Sequence, residues 1–208
     1  MPPGVGYARA GPIRFLLAHA NKKFDFIQHT PETWGPLKAS GKGGEFGGLP
    51  RVCINGQEFG QSMASLRMLG SMYGLYDPKD WKCCSYVDTI LDCWVDMHDK
   101  TYEVMIFMPN ATEEEKSTKL QEYIEKFHEP CLTIMETWLG RHSGPYIAGA
   151  KMTIADIALV AMLLSIWECE GGPFTATFKP VLAKYPKVQA YNLKLRETFG
   201  ETVKSVDA

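Results

Sequence analysis

The sequence lacks any apolar run of the roughly 18 residues that a membrane-spanning helix needs. It also lacks the layout of a signal peptide, because the short apolar stretch at residues 15–18 is followed at once by His19. Neither sign of charge dominates, since 22 Lys and Arg oppose 24 Asp and Glu. This balance gives no basic patch for nucleic acid or an anionic membrane. We therefore predict a cytoplasmic protein with no nucleic acid and no membrane as a partner.

Paired cysteines are also missing. The six cysteines contain no Cys-x-x-Cys pair, and no histidine near them has the spacing of a zinc ligand. Cys83 and Cys84 are adjacent, which makes a disulfide between them strained. We therefore predict reduced thiols, most of them packed as small apolar side chains, and no metal.

The chain changes character near residue 77. Before that point glycine is dense and short apolar runs alternate with turns, whereas long helical patterns follow it. With 45% hydrophobic residues, the 208-residue chain can bury a substantial core. We predict an N-terminal α/β domain over residues 1–76, a linker over 77–81, and an all-helical C-terminal domain over 82–208.

The N-terminal pattern predicts a helix over 12–20, a short strand over 24–27, a strand over 49–54 and a helix from Gln61 to Tyr73. The pair Asn55-Gly56 predicts a hairpin turn, and Ser62 is a candidate helix N-cap. A very short strand over 4–7 is a further possibility.

Two capping boxes are predicted in the helical half, at Thr112 with Glu115 and at Thr153 with Asp156. The helix after Thr153 is apolar nearly all round, so we predict that it is the buried centre of this half. Amphipathic spacing also predicts a helix through residues 87–95 and a last helix over 187–199.

Residues 48–62 carry the strongest chemical signal. If the Leu49-Pro50 bond is cis, the backbone of Leu49 faces outward and is free to pair with an extended peptide. Gln61 and Ser62 lie at a predicted helix N-terminus, which favours a carboxylate. Together these features suit a small anionic peptide, although Pro50 alone is explained as a strand starter and Ser62 alone as a plain cap.

Taken together, these motifs resemble the glutathione transferase family over nearly the whole chain, with the sigma and mu classes most similar. The matching stretches run through residues 9–17, Trp34 with Lys38, 48–50, 61–64, and Gly149 with 153–156. The resemblance implies a thioredoxin-like N-terminal domain, an all-helical C-terminal domain and a homodimer.

The resemblance also implies roles for individual residues in binding glutathione. Leu49, between Gly48 and Pro50, would pair with the cysteinyl backbone, and Gln61 and Ser62 would hold the γ-glutamyl carboxylate. The glycyl carboxylate would meet Trp34 and Lys38, unless Lys38 is a solvated surface lysine. Asp96 would reach across the dimer to the γ-glutamyl amine, or would simply face solvent.

The start of the chain departs from the family pattern. Tyr7 precedes Ile13 by six residues, a shorter interval than the family has between its catalytic tyrosine and this isoleucine. An ungapped count places Pro3 at the catalytic position, whereas a gap in a shortened first strand makes Tyr7 the candidate. Its hydroxyl would donate to the glutathione sulfur and lower the thiol pKa. Arg9 would assist electrostatically, or would be an ordinary arginine at a helix start.

The leading hypothesis is therefore a glutathione transferase that conjugates the thiolate to small hydrophobic electrophiles, as in detoxification. The alternative is a catalytically weak or inactive transferase-like structural or assembly protein, which the shortened first strand favours. An apolar wall for the electrophile could be formed by Tyr102, Met105, Ile106, Phe107 and Met108. The alternative role for these residues is simple packing in the core.

Overall fold

The computed structural model describes residues 7–106, 108–141, 143–169 and 171–207. A single 3₁₀ turn, Ala8–Ala10, leads into the first helix. The elements that follow are α1 Gly11–His19, α2 Pro31–Leu37, β1 Val52–Ile54, β2 Gln57–Phe59, α3 Ser62–Met72, α4 Trp81–Ile106, α5 Glu113–Tyr123, α6 Glu129–Arg141, α7 Ile154–Met162, α8 Thr175–Leu182 and α9 Pro186–Asp207. Wider π-helical turns extend α2, α5 and α7 at Lys38–Lys42, Ile124–His128 and Leu163–Trp167.

The predicted hairpin is confirmed. β1 and β2 pair antiparallel, with Cys53 opposite Glu58. Asn55 and Gly56 both have positive φ, 52° and 80°, as the tight two-residue turn of a hairpin requires.

The predicted strand over residues 24–27 is wrong. This segment is not part of a strand, because no neighbouring strand is hydrogen-bonded to it within the described residues. Its apolar side chains are also poorly buried: Phe26 is 45% exposed and Ile27 is 75% exposed. A strand needs both a hydrogen-bonded neighbour and a buried face, and this segment has neither. Of the possible strand over 4–7, residues 4–6 lie outside the described part, and Tyr7 lies in a turn.

Helix α7 is the centre of the core, as predicted. All nine of its residues are buried, and it packs against α1, α3, α4 and α9. The approach of α3 is close because Gly70 has no side chain: a Cβ there would lie 2.5 Å from Cγ2 of Ile154. The N-terminal elements are thereby fixed to the helical half, while the boundary at 77–81 stays a prediction.

Both capping boxes are confirmed. The Thr112 N–H donates to Oε2 of Glu115 at 2.7 Å, and the Thr153 N–H donates to Oδ2 of Asp156 at 2.8 Å. The first box is exposed and the second is buried. In the ranges that the structure describes, no helix combines the length and apolar character needed to cross a membrane.

Candidate functional site

A cavity of about 1440 Å³ lies between the N-terminal segments and α4. Its walls come from the turn before α1 and the first turns of that helix, from the extended segment 22–29, from residues 49–55, and from one face of α4 between His98 and Ile106. A cavity of this size exceeds the usual volume for one small ligand. It therefore has room for a tripeptide and a second reactant together.

Four of the residues predicted to bind or activate glutathione line this cavity: Tyr7, Arg9, Leu49 and Pro50. The ring of Tyr7 is half-buried, with its centroid 5.1 Å from that of Phe15. The Leu49-Pro50 bond is cis, and Leu49 is 41% exposed. The Leu49 backbone groups form no backbone hydrogen bond to another described residue. These groups remain available to a ligand.

The N-terminus of α3 lies beside Arg9, and neither Gln61 nor Ser62 is among the residues that line the cavity. Ser62 is the first residue of this helix and is 4% exposed. The N-cap is Gln61, one residue earlier than the Ser62 cap predicted from the sequence, and it has φ 61° and ψ 101°. A positive φ costs conformational energy in a residue other than glycine, so the surrounding structure must hold Gln61 in this conformation. The first N–H groups of α3 and its helix dipole favour an anion here.

Arg9 joins the α3 terminus to α4. Its Nη1 donates to Oγ of Ser62 at 3.4 Å, and its Nη2 forms a very short ion pair with Oδ2 of Asp99. The Arg9 and Asp99 side chains are 33% and 44% exposed. The three residues come from widely separated parts of the sequence and together form a polar edge beside the cavity. Both charges remain accessible to a ligand.

His98 supports Asp99 from the buried side of α4. Its imidazole is stacked between Trp94 and Tyr102, with ring centroids 4.6 and 4.2 Å away. Its Nδ1 lies 3.1 Å from Oδ1 of Asp99. A carboxylate only accepts hydrogen bonds, so we assign the proton to Nδ1.

The charge states of this pair follow from their surroundings. Burial lowers the pKa of His98, more than the hydrogen bond to Asp99 raises it, so the imidazole is neutral at pH 7. Partial burial acts to raise the pKa of Asp99, but the hydrogen bond from His98 and the charge of Arg9 outweigh it, and the pKa lies below its ordinary value. Asp99 is therefore a fixed, ionised carboxylate at neutral pH.

Trp34, Lys38, Gly48 and Asp96 do not line the cavity. The ring of Trp34 lies 5.8 Å from the guanidinium carbon of Arg51, and Lys38 is exposed. Gly48 is exposed in the loop before Leu49. Asp96 is exposed on α4 and forms no ion pair within the described part of the chain. Their proposed roles in ligand binding stay predictions.

Two residues of the predicted apolar wall do line the cavity, Tyr102 and Ile106. Burial raises the pKa of Tyr102 to about 12, so its phenol is neutral at physiological pH. Met108 is not part of the lining. Phe107 and the side chain of Met105 lie outside the described part. The α4 wall of the cavity is therefore mixed, because Asp99 and Glu103 lie beside Tyr102 and Ile106.

Sequence reasoning missed Asp99 and His98. Asp96 and Asp99 are one helical turn apart, and either carboxylate has the right chemistry for an ammonium group. The helical periodicity of α4 carries a signal: Trp94, His98 and Tyr102 recur every four residues on its buried face. Asp99 follows that buried stripe directly, whereas Asp96 faces outward.

Comparison with known proteins relates the chain to one family by sequence. A family model described as "Glutathione S-transferase, C-terminal domain" matches residues 95–198. Glutathione S-transferase A3 of Homo sapiens is 30% identical over 193 residues, covering 89% of this chain and 84% of the relative. Glutathione S-transferase alpha M14 of Sus scrofa is 31% identical over 201 residues, covering 96% and 83%.

Solved structures show the same fold. The glutathione S-transferase Blo t 8 superposes with a TM-score of 0.77 at 24% identity, covering 95% of this chain and 86% of that structure. The sigma class transferase of Fasciola hepatica gives a TM-score of 0.72 at 23% identity, covering 95% and 91%. The fold class is thus a thioredoxin-like N-terminal domain with a small sheet, followed by an all-helical domain, as the sequence predicted.

Proposed function

The chain belongs to the glutathione transferase family, and from that premise we propose that it conjugates glutathione to small hydrophobic electrophiles in the cavity beside α4. Glutathione is the substrate that this family shares. Our proposal adds four statements to family membership: the class of electrophile, the roles of single residues, the dimer and the cellular location. All six cysteines are free thiols, which supports a reducing, cytoplasmic setting. A role in detoxification is proposed from the family resemblance.

The observation that carries this proposal is the contact of Arg9 with Ser62 at the start of α3, next to the cavity that Leu49 lines. We propose that Gln61 and Ser62 bind a carboxylate of the peptide, and that the backbone of Leu49 forms hydrogen bonds with the peptide backbone. Trp34 and Lys38, beyond the Arg51 side chain, are proposed to receive the glycyl carboxylate. This assignment gives each of the three residues of glutathione one proposed contact.

The reaction needs a thiolate, because the thiol itself is a poor nucleophile. A hydroxyl that donates to the sulfur stabilises the charged form and lowers the thiol pKa. Tyr7 is the proposed donor, since it lines the cavity together with Leu49. The guanidinium of Arg9, two residues on, adds a favourable positive charge. The thiol proton passes to solvent. The thiolate then attacks the electrophile held against Tyr102 and Ile106, a C–S bond forms, and the leaving group departs with its electron pair.

We also propose a homodimer. The family resemblance supports this proposal, and Phe46 and Trp81, which are 59% and 77% exposed, are candidate contact residues. Sedimentation equilibrium of the purified protein is expected to give twice the chain mass of 23.3 kDa. A mass of 23.3 kDa at micromolar concentration would contradict the dimer and leave the transferase proposal standing.

The proposed activity is tested by binding to immobilised glutathione, followed by turnover of 1-chloro-2,4-dinitrobenzene. We expect the unmodified protein to bind and to turn over. Tyr7→Phe is expected to bind, with kcat/KM about 100-fold lower, because one donor to the developing thiolate is lost. Tyr86→Phe is the matched control, since this tyrosine packs on Trp138 and lies outside the cavity lining.

Each other outcome has a definite meaning. Binding without turnover in the unmodified protein would favour the structural or assembly role. Turnover that is equal in Tyr7→Phe and Tyr86→Phe would remove Tyr7 from the mechanism. Failure of the unmodified protein to bind glutathione would refute the proposed function.

A further inference from the structure

Helix α4 lies antiparallel to the helical run that begins with α5 and ends with α6. Oγ1 of Thr101 on α4 lies 2.9 Å from Nε2 of His128, which is in the π-helical turn between α5 and α6. Further back along α4, the ring of Tyr86 meets the ring of Trp138 on α6 edge-on, with centroids 4.9 Å apart. Positions on α4 therefore fall as their partners on the second run rise.

This register places two cysteines opposite each other. Cys93 follows Tyr86 by seven residues on α4, and Cys131 precedes Trp138 by seven residues on α6. Seven residues are nearly two helical turns, or about 10.5 Å of rise, so each cysteine lies on the same face as its aromatic neighbour. Because the two rings are in contact, the two cysteines face each other across the same seam. Their thiols are hydrogen-bonded to one another.

The two thiols differ in burial. Cys131 is 6% exposed and belongs to the core, whereas Cys93 is half-buried and packs against the core from its edge. Neither residue is among those that line the cavity. A small reagent from solvent can therefore reach Cys93 first, and it does so away from the proposed transferase site.

The thiols also differ in acidity. The hydrogen bond from Cys131 lowers the pKa of Cys93 and outweighs the opposing effect of burial. The same hydrogen bond, together with burial, raises the pKa of Cys131. Cys131 thus keeps its proton and donates it towards the Cys93 sulfur. Since the thiolate is the reactive form of cysteine, Cys93 is the nucleophile of the pair.

We propose that Cys93 and Cys131 form an oxidation site, at which a hydroperoxide converts the two thiols into a disulfide that joins α4 to α6. This goes beyond the transferase function and does not depend on it. Two thiols from different helices already in contact need little backbone movement to form this bond.

The reaction has two steps. The Cys93 thiolate attacks one peroxide oxygen and the O–O bond breaks, which leaves a sulfenic acid on Cys93. The other oxygen takes up the proton that Cys93 released and departs as an alcohol, or as water when the oxidant is hydrogen peroxide. Cys131 then attacks the Cys93 sulfur, the S–S bond forms, and hydroxide leaves and takes the Cys131 proton to become water. The thiols lose two electrons, and one hydroperoxide is reduced.

The site is tested by disulfide mapping of the unmodified protein after treatment with excess hydrogen peroxide. Free thiols are blocked with N-ethylmaleimide in denaturant, and the chain is cut with trypsin. Cuts after Lys82 and Lys100 release the fragment 83–100, and cuts after Lys126 and Arg141 release the fragment 127–141. The second fragment contains Cys131 as its only cysteine.

The first fragment also contains Cys83 and Cys84, so a second digestion with chymotrypsin, which cuts after Tyr86, separates them from Cys93. Cys93→Ala is treated in the same way. The matched control is Cys53→Ala, because Cys53 is an exposed thiol on β1. Circular dichroism checks the folding of both variants.

We expect the two fragments to be joined in the unmodified protein, with a mass lower by two hydrogen atoms than their sum. The joined species is expected to run as a single chain on a non-reducing gel and to revert with dithiothreitol. It is expected to be absent from Cys93→Ala and present in Cys53→Ala. Because the bond restricts the unfolded chain, Tm is expected to rise by about 5 °C on oxidation.

Four results would overturn the proposal. Cys131 could be recovered fully labelled by maleimide after peroxide treatment, or Cys93 could be oxidised to the sulfinic acid while Cys131 stays reduced. Fragments joined between two chains would mean that the pair within one chain does not react. A lower Tm after oxidation would show that the bond forms only by distorting the helices. These results come from the unmodified protein, and they stand whether or not it turns over glutathione, so the two proposals fail separately.

Discussion

Replacing Asp156 by alanine is expected to lower the free energy of unfolding by about 4 kcal/mol, because it removes the acceptor of a buried hydrogen-bond network. The Asp156 carboxylate is 0% exposed. It accepts from the Thr153 N–H at 2.8 Å, from Oγ1 of Thr153 at 3.0 Å, from the Ile147 N–H at 2.9 Å and from the Tyr191 hydroxyl at 2.5 Å. Alanine would leave these donors buried and unpaired. A loss of this size lowers Tm by about 10 °C in a chain of this length.

The isosteric variant Asp156→Asn is expected to be nearly as damaging. The carboxylate accepts on both oxygens, whereas an amide presents a donating NH₂ group on one side. That NH₂ group would face either the Thr153 N–H or the Ile147 N–H and the Tyr191 hydroxyl, so donors would oppose donors. Asparagine has nearly the same volume as aspartate, so this variant leaves no cavity. A large decrease in Tm would therefore come from the lost hydrogen bonds.

The exposed capping box provides the control. Glu115 accepts from the Thr112 N–H at 2.7 Å in the same local geometry, but in contact with solvent. Glu115→Ala is expected to cost far less than Asp156→Ala, since water replaces the lost acceptor. Urea unfolding followed by circular dichroism would compare the two variants. Equal losses for Asp156→Ala and Glu115→Ala would show that burial of the network adds nothing.

The two boxes also indicate how far the sequence predicts this fold. A capping box, a hairpin turn at Asn55-Gly56 and an apolar helix are each specified by residues within a few positions of one another. Their energetics are local, and the sequence predicted them correctly. The box at Thr153 is buried and the box at Thr112 is exposed because of packing against residues as distant as Tyr191. No local sequence pattern predicts this difference in burial.

The strand that was predicted over 24–27 shows the opposite case. Phe24 and Phe26 have strand-forming side chains, but a strand is stabilised by its neighbour rather than by its own residues. The neighbour is a long-range property of the fold. Without one among the described residues, the segment becomes a wall of the cavity, with the guanidinium of Arg14 4.1 Å above the ring of Phe26.

The candidate site was predictable where a motif marks it. The motifs at 48–50 and 61–62 drew attention to the cavity edge and to the start of α3. The contact between Arg9 and Asp99 was not predictable, because the two residues are some 90 positions apart in sequence. Helical periodicity gives only the direction in which a side chain leaves its helix, and the identity of its partner is decided by tertiary packing.

Acidification from pH 7 to pH 5 is expected to destabilise the protein through His128 by about 2 kcal/mol. This imidazole is 0% exposed. Its Nδ1 accepts from Nε1 of Trp167 at 3.1 Å, and its Nε2 lies 2.9 Å from Oγ1 of Thr101. The Thr101 hydroxyl donates to the carbonyl of Met97, so Nε2 carries the proton and donates to Thr101. A second proton on Nδ1 would face the indole N–H in a dry environment.

Burial lowers the pKa of His128 from the ordinary 6.5 to about 3. Below pH 6.5 the unfolded chain binds a proton at this position, whereas the folded chain does so only near pH 3. The unfolded state therefore gains protons first, and stability falls with a slope of about 1.4 kcal/mol per pH unit across this window. Above pH 6.5 neither state is protonated, and the contribution of His128 to stability is constant.

The measurement is the free energy of unfolding in urea at half-unit steps from pH 7 to pH 4.5, for the unmodified protein and for His128→Gln. The glutamine side chain both accepts and donates but does not titrate. Compared with the unmodified protein, His128→Gln is expected to be less stable at pH 7 and to lose stability more slowly as pH falls. The buried imidazole of His98 and the half-buried imidazole of His19 also have lowered pKa values, but they are present in both proteins. The difference between the two slopes therefore belongs to His128, and parallel curves would contradict the prediction.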